Sequence, residues 1–373
     1  MVGTKNTLKN STTPRVFVAA TRQNDGKTTA SLGLMAAIQE SHPRVGFIKP
    51  IGQRFVDIHR QRIDEDTVLM DRVYGLNCPL DEMSPIAVEQ DFTRRYLRTA
   101  NYEALAARIQ RAFDRVAWEK DIVLCEGTGH AGVGSVFDLS NARVAKLIGA
   151  KVIIVSRGGI GRPIDEIALN QALFEKENVE IIGVILNKVM PGKVDQVSEF
   201  ARKGLHRRGL ELLGVIPHVR LLSSPTMDLI REELAAEPMN RADAFRNIVD
   251  DVVVGAMGAE HAAKLFRAGT LLIVPGDRED LIASVAAVRM GCEPIKLSGV
   301  ILTDDLRPTQ AVLRVLQDLP YPVLFTREGS YEVASKVHDL IVKTRPDDTA
   351  KIALIRDLIR SHVDVKRILQ SIT

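Results

Sequence analysis

Ala19-Ala20-Thr21-Arg22-Gln23-Asn24-Asp25-Gly26-Lys27-Thr28-Thr29 is the stretch that decides how the first half of this chain is read. An apolar run at residues 16–20 precedes it, and a helical pattern over residues 27–39 follows. A turn joining a strand to a helix points successive backbone N–H groups inward and adds the positive end of the helix, which together cradle an anion. Gly26 permits close backbone approach. Lys27 is placed to bridge the β- and γ-phosphates of a nucleoside triphosphate, and Thr28 to offer its hydroxyl to Mg²⁺. Arg22, Gln23, Asn24, Asp25, Gly26 and Thr29 complete the expected phosphate-contacting loop. Thr21 stands where the common Gly-x-x-x-x-Gly-Lys-Ser/Thr form begins with glycine. The bland alternative is a chance Gly-Lys-Thr at a helix start.

Outward from this loop, strand-like apolar runs recur at residues 45–48, 122–125, 152–155, 181–186 and 212–216. Helical stretches lie between them, at 102–118, 139–148 and 163–175. In the first of these, Leu105, Ile109, Phe113 and Val116 recur at spacings of three and four, which makes one buried stripe. Apolar strands separated by amphipathic helices describe an α/β fold with a mostly parallel sheet covered on both faces. Residues 53–100 are less regular and rich in charge, an insertion able to shape a substrate site or an interface.

Three further elements fall at strand ends, where ligands of open α/β sheets sit. In Lys49-Pro50, proline keeps the chain out of helix, so Lys49 lies near the carboxyl edge of the sheet. It can neutralise a transferring phosphoryl group or hold an anionic substrate; taken alone it would be one more exposed lysine. Glu126, in Cys125-Glu126-Gly127-Thr128-Gly129-His130, ends a buried strand and is placed to bind Mg²⁺ directly or through water. Asp66, or Asp64 beside it, supplies a second carboxylate, unless the pair only serves a helix N-terminus. His130 is read as a solvent or second-layer group. Asn187 follows a strand, and its amide can pair with an adenine edge or cap the next helix.

The whole chain of 373 residues exceeds what one core usually supports, so two domains are expected. Its 50 Lys and Arg nearly balance 47 Asp and Glu, and the basic residues are scattered, which argues against a nucleic-acid partner. Cys78, Cys125 and Cys292 match no metal-ligand spacing and imply no disulfide framework, so a reducing cytoplasm is the expected home. The first fourteen residues read as a flexible lead-in without an apolar core, and no membrane-spanning run is present. The expected domains are residues 15–218, a proline-punctuated connector at 219–247, a second α/β domain at 248–345, and a helical tail at 346–373. That tail should pack on the second domain or on a partner subunit. Asp277, with Asp280 three residues on, suggests a capped helix after the turn at Pro275-Gly276, and Arg278 suggests either an anion contact or a local ion pair.

At these residues the first half resembles the dethiobiotin synthetase family, within the P-loop proteins that include cobyrinic-acid amidases and the septum-site and nitrogenase-iron ATPases. The resemblance implies that Lys27 and Thr28 hold phosphate and Mg²⁺, that Lys49 acts at the γ-phosphate, that Asp66 and Glu126 serve the metal, and that Asn187 contacts adenine. The family's loop glycine and Thr-Glu pair are replaced here by Ala20 and Gln23-Asn24, and its serine by Gln53, so dethiobiotin synthesis is not carried over. A wider resemblance joins the chain to the N-terminal region of long phosphate acetyltransferases, whose second domain is named for a DRTGG motif. Gly255-Ala256-Met257, Pro275-Gly276-Asp277-Arg278-Glu279-Asp280 and Gly299-Val300-Ile301-Leu302-Thr303 carry it, with Thr303-Asp304-Asp305 in place of Thr-Gly-Gly. The acetyltransferase domain itself is lacking in this sequence. The resemblance implies an ATP- and Mg²⁺-binding protein, an ATPase or ligase-like enzyme coupled to a regulatory domain. The alternative is a non-catalytic nucleotide sensor or scaffold for a partner acyltransferase. A homodimer is implied by the same resemblance.

Overall fold

A computed structural model of the chain describes residues 9–287, 289–290 and 293–373. It divides into two compact units, one running up to His218 and resuming over Thr344–Thr373, the other spanning Val219–Lys343. Cys292 and the first eight residues of the lead-in lie outside the described residues.

The first unit is built on six parallel strands: β1 (Arg15–Ala20), β2 (Val45–Ile48), β3 (Ile122–Glu126), β4 (Lys151–Arg157), β5 (Ile181–Val189) and β6 (Leu212–Pro217). Their order in the sheet is β6-β5-β4-β1-β3-β2. Phe17 of β1 aligns with Cys125 on β3 and with Val152 on β4. β1 is buried along its whole length, because helices cover both faces; that is why it reads as an unbroken apolar run rather than an alternation. The chain turns to opposite sides of β1, so the carboxyl end of that strand opens the crevice where such sheets take ligands. The helix Lys27–Gln39 begins there, immediately after Gly26.

The irregular insertion supplies a hairpin, Phe55–Ile58 paired antiparallel with Gln61–Asp64. It turns at His59 and Arg60, both with positive φ (48° and 68°). Asp64 then caps the helix Glu65–Tyr74, its carboxylate accepting the Asp66 N–H at 3.0 Å. Charge and a cap, not apolar period, define this segment.

Two boundaries differ from the sequence expectation. The stretch at 219–247 is no connector. Its helix Met227–Glu233 sinks Met227 and Ile230, with Leu234, into an apolar cluster with Leu271, Ile273 and Ile301 of the second unit. That unit carries four parallel strands in sequence order, β7 (Asp251–Val254), β8 (Thr270–Pro275), β9 (Gly299–Thr303) and β10 (Val323–Phe325), and the short strand Glu237–Pro238 extends its edge beside β10. Arg278 there makes a bidentate pair with Asp280 and donates to the carbonyls of Gly255 and Met257, tying two loops together where an anion contact was the other reading.

The closing helices, Thr349–His362 and Val365–Ile372, belong to the first unit, where the sequence reading set them on the second domain or a partner. Ile352, Ile355 and Ile359 form their buried stripe. A Cβ on Gly33 would stand 2.1 Å from Ile359 Cγ1, so the two helices meet at backbone distance and glycine is required on the inner one. Val363 bridges to Gly214, and the Asp364 N–H donates to the Leu213 carbonyl at 2.8 Å, fastening the segment to β6. The second unit is thus an insertion between β6 and this closing segment. Among the described residues no helix is long and apolar enough to cross a membrane.

Ile359 is fully buried. Ile359→Ala should therefore lower the stability of the first unit by about 2–5 kcal/mol. Urea denaturation checks it: an unchanged midpoint would mean that the closing helix is not part of that core.

Candidate functional site

The loop after β1 is wired from within. Asp25 is buried, and its carboxylate accepts from Thr21 Oγ1 at 2.7 Å and from the Arg22 N–H at 2.9 Å. Thr21 Oγ1 also lies 2.9 Å from Ser156 Oγ at the end of β4. Thr21 thus fills the place of the missing glycine with a hydrogen-bonded brace. Burial pushes the Asp25 carboxyl above its usual value, against the pull of Thr21 and the Arg22 N–H. Gly26 sits at φ +96°, in the left-handed region that favours glycine. Gln23 and Asn24 are exposed, and Arg22 pairs with Glu166.

Lys27 is buried at the start of the helix. Burial lowers its pKa; Glu126 pulls it back up while Lys49 adds to the lowering. Lys49, at the end of β2, is only 6% exposed. Its ammonium contacts Asp66 Oδ2, lies 3.2 Å from Asp64 Oδ1 and lies 3.3 Å from Glu126 Oε1. Burial alone would lower its pKa, but the attraction of Asp66, Glu126 and Asp64 outweighs it and holds the lysine well above its ordinary value. Thr28 Oγ1 donates to Glu126 Oε1 at 3.1 Å. The structure therefore brings Thr28, Lys49, Asp66 and Glu126 to one place, with Lys27 close enough to feel their charges. Asp64 joins them while also capping its helix.

Asn187 is turned back onto the phosphate loop. It is buried at the end of β5, with its Nδ2 donating to the Asp25 carbonyl at 2.9 Å and its Oδ1 accepting from the Lys188 N–H at 2.8 Å. Each polar end of the amide meets protein backbone, with one N–H of the NH₂ group still to give, and neither end caps a helix. Lys188 Nζ donates to the Asn24 carbonyl at 2.8 Å. Nothing in the sequence signals that role of Lys188 beyond its place after Asn187. His130 is exposed, and its Nδ1 accepts from the Gly132 N–H at 3.2 Å.

Mg²⁺ suits the donor set. Glu126 Oε2 is buried without a well-formed hydrogen bond, and the side chain that faces Glu126 is Ser31, one turn beyond Lys27, whose own Oγ is in the same condition. A buried carboxylate oxygen left so is costly unless a cation or water meets it. Burial pushes the Glu126 carboxyl up, opposed by Lys49. Among the described residues no group of three or more His, Cys, Asp and Glu side chains is arranged to hold a metal unaided. Mg²⁺ commonly takes one or two carboxylates together with phosphate oxygens, so Thr28, Asp66 and Glu126 fit a metal that arrives with its nucleotide.

Comparison with known proteins places these features. Residues 14–226 match the family model described as AAA domain, and residues 229–340 match the DRTGG domain. Phosphate acetyltransferase of Pseudomonas aeruginosa is 29% identical over 366 residues, covering 93% of this chain and 50% of that protein. The phosphate acetyltransferase of Nitratidesulfovibrio vulgaris is 25% identical over 359 residues, covering 94% of this chain and 50% of the relative. The chain thus spans about half the length of the curated relatives it matches. Among solved structures, the septum-site-determining protein MinD of Pyrococcus horikoshii with Mg-ADP is similar at a TM-score of 0.36 and 18% identity, over 56% of this chain and 83% of that one. The CBS and DRTGG domains of Clostridium perfringens pyrophosphatase, with diadenosine tetraphosphate, align at a TM-score of 0.28 and 16% identity, over 48% of this chain and 87% of that one.

The charge cluster has a pH signature. The Asp64 carboxyl is pushed up to about 6, chiefly by burial. A raised folded pKa means that the protonated form favours folding. The stability it contributes is fully present below about pH 4, the unfolded value, and is lost as pH rises through the folded one. Asp64→Asn keeps a good helix cap while removing the titration. Urea stability measured from pH 4 to 7 should show a shallower decline in this variant than in the wild type; equal slopes would contradict the assignment.

Proposed function

The chain belongs to the AAA domain family through residues 14–226, and from that premise we propose that its first unit binds ATP with Mg²⁺ and turns it over. It is an ATPase or an ATP-dependent, ligase-like enzyme whose acceptor is water or a carboxylate. The observation that carries this reading is the meeting of Lys49 with Asp66 and Glu126, beside Thr28, at the mouth of the phosphate loop. Lys27 and the backbone N–H groups of the loop grip the phosphates. Lys49 keeps its proton, so it serves as a fixed positive charge for the transferring phosphoryl group and not as a base. Thr28, Asp66 and Glu126 hold Mg²⁺, which when bound supplies charge neutralisation to the phosphate oxygens. Asn187 braces the loop through the Asp25 carbonyl and offers the second N–H of its amide to adenine. The DRTGG unit is regulatory in this reading, and the working form is a homodimer.

A second reading is favoured by the full engagement of Lys49 with three carboxylates. Nucleotide is then bound without turnover, and the protein acts as a sensor or scaffold for a partner acyltransferase.

Lys27→Ala should abolish Mg-ATP binding in titration calorimetry; an unchanged affinity would overturn the assignment of the loop. Lys49→Gln, which keeps a donor toward the carboxylates, should retain binding within a few-fold and lose steady phosphate release by about 10²–10³-fold. Binding by the wild type with no steady release would select the sensor.

A further inference from the structure

Beyond Gly33 the helix Lys27–Gln39 and the closing helix Thr349–His362 no longer fill the space between them. Ala36 and Ala37 of the first and Ala353 of the second line a groove there, because side chains so small leave it open. Its volume is about 390 Å³, within the range of roughly 300–1,000 Å³ that small-molecule sites occupy. Tyr74, the last residue of the helix that carries Asp66, forms a further wall. That wall is fixed on two sides: the Tyr74 hydroxyl donates to the Leu32 carbonyl, and the Arg356 guanidinium lies 5.3 Å from the centre of its ring. At a rise of 1.5 Å per residue, Glu40 at the end of the groove stands about 20 Å along the helix from Lys27. The groove is therefore separate from the phosphate loop.

Four charged side chains line it: Glu40, Arg356, Asp357 and Arg360. Arg360 and Asp357 answer each other at 2.7 Å. Glu40 and Arg356 are left over, and among the described residues Glu40 meets no cation and Arg356 no carboxylate. Glu40 is also set against its own helix. It stands at the carboxyl end, where the helix dipole is negative, and the last turn holds no basic residue. A carboxylate added to that end draws an ammonium. Arg356 offers a planar guanidinium, which suits a carboxylate. One unmet charge of each sign on a single groove, with alanine between them, is the outline of a zwitterion with an apolar side chain. A peptide terminus would bring only one of the two charges.

We propose that this groove binds a free aliphatic α-amino acid, its ammonium held by Glu40, its carboxylate by Arg356 and its side chain laid on Ala36, Ala37 and Ala353. The walls are the far ends of the helices that begin at Lys27 and Glu65, so an occupant ties together the elements that carry the phosphate loop and Asp66. The site does not rest on the nucleotide reading, and its test uses no nucleotide.

L-Leucine is titrated into the full chain by calorimetry, beside its two halves: 4-methylpentanoate, which keeps the carboxylate, and 3-methylbutylamine, which keeps the ammonium. Leucine should bind, and each half should bind about tenfold more weakly or worse, as expected for losing one charge-assisted contact. Glu40→Gln and Arg356→Gln should each weaken leucine by about the same factor. Both side chains are exposed, so the melting temperatures of the ligand-free variants should stay close to that of the wild type. Ala37→Leu fills the floor without touching a charge and should abolish binding. A wild type that takes up no leucine at millimolar concentration would overturn the proposal. So would 4-methylpentanoate binding as tightly as leucine, which would make the groove a plain carboxylate site. Leucine affinity unchanged in Glu40→Gln or in Ala37→Leu would also overturn it, by placing the ligand elsewhere.

Discussion

Lys49 carries its charge to a place that water does not reach, and burying an ammonium is costly unless carboxylates meet it there. Three do, and they come from different parts of the chain: Asp64 and Asp66 from the hairpin and helix of the insertion, Glu126 from the end of β3. Glu126 reaches in turn to Thr28 on the phosphate-loop helix. One buried cation thus fixes the insertion against the sheet edge and aims an acidic group at the loop. Removing the lysine would leave three buried carboxylates facing one another, so Lys49 is what ties the irregular insertion to the sheet. In the same cluster Glu126 Oε2 is buried with only Ser31 facing it, a condition that favours a divalent cation.

The loop and the cluster are held from behind. The phosphate-loop helix is buried on its outer side by the closing helix, which crosses it at Gly33, and the closing segment is fastened to β6. The second unit leaves the first after β6 and returns to it just ahead of that helix. The second unit's two covalent connections run directly into elements that support the loop after β1. This connectivity gives a regulatory role a physical route without requiring any special contact.

Much of this was legible from residue order. The phosphate loop could be read because strand, turn and helix are adjacent in the chain and each has a local signature. Lys49 and Glu126 could be read because both end apolar runs, and parallel strands of one sheet deliver their ends to one edge. The contact of Asn187 with the loop could not, because it depends on β5 lying beside a loop far away in the chain, and an amide at a strand end serves a base, a helix or a backbone carbonyl equally well. Asp64 could be read as a metal carboxylate or a helix cap, and only the fold shows that it caps its helix and also meets Lys49. The closing helix displays its stripe of Ile352, Ile355 and Ile359 plainly, but an amphipathic stripe does not name the surface that buries it. The helix Met227–Glu233 was hidden differently: proline and charge on either side drew attention away from its buried Met227 and Ile230.

The account stands on an anion being clasped by the turn between β1 and its helix. Amide hydrogen exchange across residues 22–29, with and without Mg-ATP, measures that contact where it is claimed to occur. The account predicts protection of the Asp25–Thr29 amides on adding nucleotide, larger than at any other loop of the first unit. Unchanged exchange there, with protection appearing at another edge of the sheet, would contradict it.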